Sequence, residues 1–290
     1  MTDSPDTTRR HVLIGLGTIT TTALAGCGGT GGDATATPTE TETETTTPTA
    51  TETATPTETE TETPAETANL RVAHLSPNAP DVDVYADGSA VLEGVGFGTI
   101  SDYLEVPAGE RQLRITPAGD DGTTVFEGAV PVEADADYTV AAAGEVGDMV
   151  DQPFEPLVLE DDNATPAEDM ARVRLVHASP DAPAVDVTLA SNGDALFDGV
   201  AYGDAGYVEV PAGDYTLEVR GDTEGNDGDV VASFDVSLGG GTVSTGFAAG
   251  YLSPDDAPAD TPFDLILAVD AGGSMGGSMR HEAPAAGLRG

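Results

Sequence analysis

The sequence predicts an all-β chain built as two tandem antiparallel modules, each a sandwich or barrel. Three observations carry this. A segment occurs twice, as His74-Leu75-Ser76-Pro77-Asn78-Ala79-Pro80-Asp81-Val82-Asp83-Val84 and His177-Ala178-Ser179-Pro180-Asp181-Ala182-Pro183-Ala184-Val185-Asp186-Val187. Further matches follow at an offset of 103 to 105 residues, the size of a small domain, so a whole module is duplicated. Both copies consist of short alternating apolar runs between Gly and Pro turns, with no sustained helical period.

In chain order, residues 1–26 read as an export address. Thr8-Arg9-Arg10-His11-Val12-Leu13 resembles a twin-arginine translocation signal, and the apolar stretch behind it is too short to span a membrane. Leu24-Ala25-Gly26-Cys27 resembles a lipobox, in which the Cys27 sulfur would take a lipid. Cys27 is the only cysteine, so an internal disulfide and a Cys-rich metal site are both excluded.

Residues 27–68 read as a lipidated cysteine followed by a disordered stalk. From Asp33 to Ala68 the tract is Thr, Glu and Pro, with no side chain able to offset the backbone entropy of folding. In a polyproline II conformation it would reach up to roughly 100 Å. Its composition resembles O-glycosylated stalks.

The first module is expected at 69–162, with strands at Leu70–Leu75, Asp81–Ala86, Ala90–Glu93, Tyr103–Val106, Gln112–Thr116, Val125–Val132, Tyr138–Ala143 and Glu155–Leu159. Residues 163–170 form an acidic linker holding the sequon Asn163-Ala164-Thr165, which Pro166 disfavours. The second module is expected at 171–270; its stretch Tyr207–Val219 reads as a hairpin around Pro211-Ala212-Gly213. Residues 271–290 read as a disordered Gly/Met tail, where Met275, Met279 and His281 are a weak soft-metal grouping.

Charge narrows the function classes. The chain has 52 acidic residues against 10 basic ones, all Arg, for a net charge of −42. Such a surface repels itself in dilute buffer, whereas about 1 M salt shortens the Debye length to roughly 3 Å. A protein of molar-salt surroundings is expected, resembling those of halophilic archaea. With no basic patch, nucleic acid is excluded as a partner.

The combined pattern R-[VL]-x-H-x-S-P-[ND]-A-P-x-V-D-V, Gly-Val-x-[FY]-Gly and Tyr-x-Glu-Val-Pro-Ala-Gly resembles domain of unknown function 4397. The resemblance implies an immunoglobulin-like or transthyretin-like β-sandwich on secreted or surface-anchored prokaryotic proteins, often in tandem. It supplies no accepted enzymatic activity and no established catalytic residues, so none is carried over to this chain.

Within the repeat, His74 and His177 each lack a second histidine or cysteine nearby, so they read as structural imidazoles bonding the Ser76-Pro77 and Ser179-Pro180 turns rather than as metal ligands. Ser76 and Ser179 have no nucleophile elbow. Asp83 and Asp186 stand between valines in strands that disfavour aspartate. They either cap backbone amides or, with Asp81 and Asp87, bind calcium, although Ala184 replaces Asp81 in the second copy. The expected whole is a non-enzymatic surface lipoprotein without a resident cofactor, calcium aside. Its partners would be the membrane through the lipid, then a surface layer, glycan or other envelope component.

Overall fold

The computed structural model describes residues 66–148 and 150–272, which belong to one compact unit. Arg9, Arg10, Leu24, Ala25, Gly26, Cys27, the stalk to residue 65 and the tail grouping of Met275, Met279 and His281 lie outside the described residues.

The first repeat has eight strands: β1 (Thr67–His74), β2 (Val82–Ala86), β3 (Ser89–Val95), β4 (Leu104–Pro107), β5 (Gly109–Pro117), β6 (Phe126–Val132), β7 (Asp137–Ala143) and β8 (Glu155–Asp161). The second repeats them as β9 (Met170–His177), β10 (Val185–Leu189), β11 (Ala195–Val200), β12 (Ala205–Pro211), β13 (Gly213–Gly221), β14 (Val230–Leu238), β15 (Thr242–Ala249) and β16 (Asp264–Ala271). Each repeat is a two-sheet sandwich. The sheets are β4-β1-β7-β8 with β3-β2-β5-β6, and β12-β9-β15-β16 with β11-β10-β13-β14.

Strand alternation places the cores. Leu70, Val72, Val82, Val84, Leu113, Ile115, Val140 and Ala142 meet between the sheets of the first repeat, and Val173, Leu175, Val185, Val187, Leu217, Val219 and Ala248 between those of the second. The β2–β3 hairpin turns at Asp87 (φ 50°) and Gly88 (φ 81°), the left-handed pair that a two-residue hairpin requires.

The two tandem β-sandwiches are those expected, and their pairing is mostly antiparallel; one pair in each inner sheet is parallel, β1 with β7 and β9 with β15. The chain between each pair passes through the opposite sheet, so no hairpin dictates their relative direction. One expectation is corrected: Tyr207–Val219 is not a hairpin. β12 pairs with β9 and β13 with β10 and β14, so Pro211-Ala212-Gly213 is a corner between sheets. Alternation reports which side chains face the core, and both strands face the same core.

A third hydrophobic layer joins the repeats. Ala73, Leu75, Ala141 and Ala143 from the back of the first inner sheet pack with Val176, Ala178, Phe247 and Ala249 from the back of the second. The inner sheets are therefore buried on both faces, and all eight residues of β15 are buried. The described chain is a four-layer stack with the two inner sheets face to face.

Candidate functional site

The repeated motif forms a hydrogen-bonded corner in each copy. Ser76 Oγ donates to the Gly144 carbonyl at 2.6 Å, and Ser179 Oγ to that of Gly250 at 2.7 Å. The next polar position clamps the same loop. Asn78 exchanges two bonds of 2.9 Å with the Val146 backbone, while Asp181 accepts from the Leu252 and Ser253 amides at 2.8 Å. Pro77 and Pro180 follow these serines at the turn between the sheets.

The aspartates cap backbone. Asp83 accepts from the Gly94 and Gly119 amides at 2.7 and 2.9 Å, and Asp186 from those of Gly199 and Thr223 at 2.8 and 3.1 Å. The Gly119 and Gly94 amides hold the Asp83 carboxyl below its usual range. Each aspartate thereby ties its strand to the glycine that opens the downstream Gly-Val-x-[FY]-Gly motif.

The histidine rings bond differently in the two copies, and only that of His74 holds the downstream motif. His74 Nδ1 donates to the Val95 carbonyl at 2.9 Å. His177 Nε2 donates to the Pro183 carbonyl at 3.0 Å, and its Nδ1 accepts from the Ser179 amide at 3.3 Å. Only the second copy thus bonds its own Ser-Pro turn. Both rings are fully buried, and burial lowers both pKa values. The rings of Tyr202 and His177 meet in a T-shaped contact, 6.2 Å between centroids.

The structure does not gather Asp81, Asp83 and Asp87 around one point. Asp87 pairs with Arg111 at 2.8 Å and accepts from the Gln112 amide, and Asp81 is exposed. Among the described residues, three carboxylates that do converge are Asp186, Asp198 and Asp222, each offering an oxygen within 4.8 Å of the others. The Asn226 amide, oriented to donate, reaches Asp198 at 2.8 Å and Asp186 at 3.1 Å. The first copy has Glu93 and Ala118 at the positions of Asp198 and Asp222.

A second polar cluster lies between the repeats. Arg71 Nη1 donates to Asp270 of the other repeat at 2.6 Å, and Arg174 pairs with Asp161 in return. Thr139 donates to Asp161 at 2.6 Å and Thr245 to Asp270 at 2.5 Å. Tyr103 lies 4.8 Å from the Arg71 guanidinium and Tyr207 5.3 Å from that of Arg174. Burial works against the Arg71 charge, but Asp270, Tyr103 and Asp161 together outweigh it and raise the pKa; burial likewise pushes the Asp270 carboxyl up, against the pull of Arg71 and Thr245. Farther along the interface the Tyr251 hydroxyl donates to Glu145 at 2.8 Å.

Sequence reasoning noted the arginines three residues before each histidine but assigned them no role, and it missed Asp161, Asp270, Glu145 and Tyr251. One signal was present: an outward-facing Arg and a terminal Asp recur in both copies, a costly pair of charges to bury unless they meet. The sequon is also explained. Asn163 Nδ2 donates to Asp137 at 2.7 Å and Tyr103 at 3.2 Å, so a glycan, which replaces one of the two amide hydrogens, would cost at least one of these bonds.

Fold and site together define a protein of paired β-sandwiches whose repeated motif closes its own corners. Its family follows: residues 68–188 and 186–287 match the family described as domain of unknown function (DUF4397), and the chain belongs to it. No curated protein matches the chain. Among solved structures, similarity extends to the Bacillus anthracis TIE protein at 11% identity and TM-score 0.21, covering 63% of this chain and 34% of that one. It extends also to CBMbc (family CBM26) from Eubacterium rectale Amy13K, solved with maltoheptaose, at 12% identity and TM-score 0.22, covering 70% and 98%. At such TM-scores neither likeness bears on function. No helix among the described residues is long and apolar enough to cross a membrane.

Proposed function

We propose that this chain is a protein lipid-anchored on the extracellular face of the cell membrane in a salt-rich habitat, acting as a non-enzymatic binding or structural element of the cell envelope. Arg9 and Arg10 direct twin-arginine export, Cys27 behind Leu24-Ala25-Gly26 takes the lipid, and the Thr/Glu/Pro stalk lifts the paired sandwiches outward.

The observation that supports a non-enzymatic role is how the motif is used. Its serines, histidines and central aspartates, the residue types that catalysis would need, are buried and bonded to backbone. The alternative, a glycan- or solute-binding lipoprotein, has less support. Tyr103 and Tyr207 cover interface arginines, Phe97 packs between the repeats and Tyr85 lies 4.1 Å from the Arg114 guanidinium, so these rings form no common platform.

The test expresses the full chain and its Cys27→Ser variant in a salt-adapted host, then assays purified protein for retention on isolated envelopes and for turnover of a hydrolase substrate panel. Release of the variant into the medium and saturable envelope binding without turnover are expected. A variant that stays on the cell overturns the anchor, and saturable turnover overturns the non-enzymatic role.

A further inference from the structure

The contact between the repeats exchanges like for like. Arg71 reaches Asp270 as Arg174 reaches Asp161, and Thr139 supports Asp161 as Thr245 supports Asp270. A Cβ on Gly98 would lie 3.5 Å from Ile266, and one on Gly203 3.7 Å from Leu157. The strand registers make all these pairs equivalent: Arg71 aligns with Thr139 as Arg174 does with Thr245, and Ala141 with Leu157 as Phe247 does with Ile266. Such a reciprocal surface is what two identical subunits present about a two-fold axis.

Where equivalent positions differ, they differ in a complementary way. Continuing the register past Gly144 and Gly250 makes Glu145 and Tyr251 equivalent, and these two bond to each other at 2.8 Å, with relative exposures of 8% and 1%. Two first repeats pairing the same way would bring Glu145 against Glu145, two buried carboxylates with no hydroxyl between them. Two second repeats would leave two phenols with no carboxylate. Size follows the same rule. Ala141 is equivalent to Phe247, Leu75 to Ala178 and Leu159 to Ala268, and all six pack in the one interface layer. Self-pairing would double the large side chain at some positions and the small one at others, producing overlap and cavity respectively.

We infer that the back of each inner sheet is a heterotypic pairing surface: the first repeat selects a second repeat, of its own chain or of another copy, and each excludes its own kind. The Arg–Asp exchange supplies the shared geometry, and the Glu145–Tyr251 bond with the Ala141/Phe247 size difference supplies the choice. This pairing stands independently of how the protein is anchored and of what it binds.

The test uses the full chain carrying a protease site in the exposed connector 164–167, cleaved after folding in molar salt. The cleaved halves are expected to migrate as one particle, and native mass spectrometry of mixed isotope-labelled and unlabelled cleaved chains is expected to find pairs of first with second repeats only. Halves that part on cleavage, or first–first and second–second pairs at comparable abundance, overturn the inference. In the cleaved Tyr251→Glu variant the dissociation constant at pH 7 is expected to rise at least about tenfold and to recover on acidification, as one of two facing carboxyls takes a proton. Glu145→Gln is expected to keep the halves together. An unchanged dissociation constant in Tyr251→Glu overturns the choice assigned to this bond.

Discussion

Arg71 and Asp270 stand 199 residues apart in the chain and 2.6 Å apart in space, joining the first strand of one sandwich to the last strand of the other. Both side chains are nearly inaccessible to solvent, so neither charge can fall back on water if the other is lost. Arg71→Ala is expected to destabilise the paired sandwiches by about 3–5 kcal/mol, the usual cost of leaving one buried charge unpaired. The double replacement Arg71→Met with Asp270→Leu is expected to recover most of that. Denaturant melts of the three proteins decide it; an Arg71→Ala loss below 1 kcal/mol, on the order of a surface ion pair, would mean that the pair is solvated.

Acid is expected to destabilise the fold through the histidines. Both have folded-state pKa values lowered by burial, so below the unfolded value of about 6.5 the unfolded chain binds more protons than the folded one. Stability therefore falls as pH drops below about 6.5, by up to about 1.4 kcal/mol per pH unit for each histidine, until the folded-state pKa is reached. His74→Gln and His177→Gln should each flatten this slope in melts between pH 7 and 5. An unaltered slope in both would assign the acid sensitivity to carboxylates.

Asp186→Ala removes the acceptor of two backbone amides in a fully buried setting, with an expected cost of about 2–4 kcal/mol. Chelator is expected to leave the melting temperature of the native protein unchanged, because the Gly199 and Thr223 amides and the Asn226 side chain already bond Asp186 and Asp198 without a cation. A chelator-dependent melt would instead assign a cation to Asp186, Asp198 and Asp222.

Gly144 and Gly250 have φ of +83° and +87°, and a Cβ on either would lie 2.4 or 2.2 Å from the carbonyl oxygen of Pro153 or Pro262. Alanine at either position combines a left-handed backbone with a clash against main chain that cannot step aside. A loss of about 3 kcal/mol or more is expected for each. Wild-type melting of either variant would show that the loop yields.

Low salt is expected to unfold the protein. The described arginines already have partners, from Asp270 at Arg71 to Glu218 at Arg220, so much of the acidic surface has no cation of the chain to meet. Circular dichroism should lose its cooperative transition below roughly 1 M salt as the screening length grows. A cooperative melt in dilute buffer would count against the salt-rich habitat.

The sequence alone determined the all-β class, the duplication and most strand positions, because alternation and turn residues are local properties that every Val82-Asp83-Val84 or Asp87-Gly88 displays within a few residues. It also set Asp83 and Asp186 between valines in strands, leaving their role divided between capping and calcium. What the tertiary structure decided is everything that depends on partners distant in the chain. The sheet that each strand joins, the parallel β1–β7 and β9–β15 pairs, the amides that claim Asp186 and the meeting of Glu145 with Tyr251 are of this kind. The physical reason is that an outward-facing Arg71 or Phe247 reads as a surface residue until a second sheet covers it. That covering sheet lies a whole repeat away in the chain.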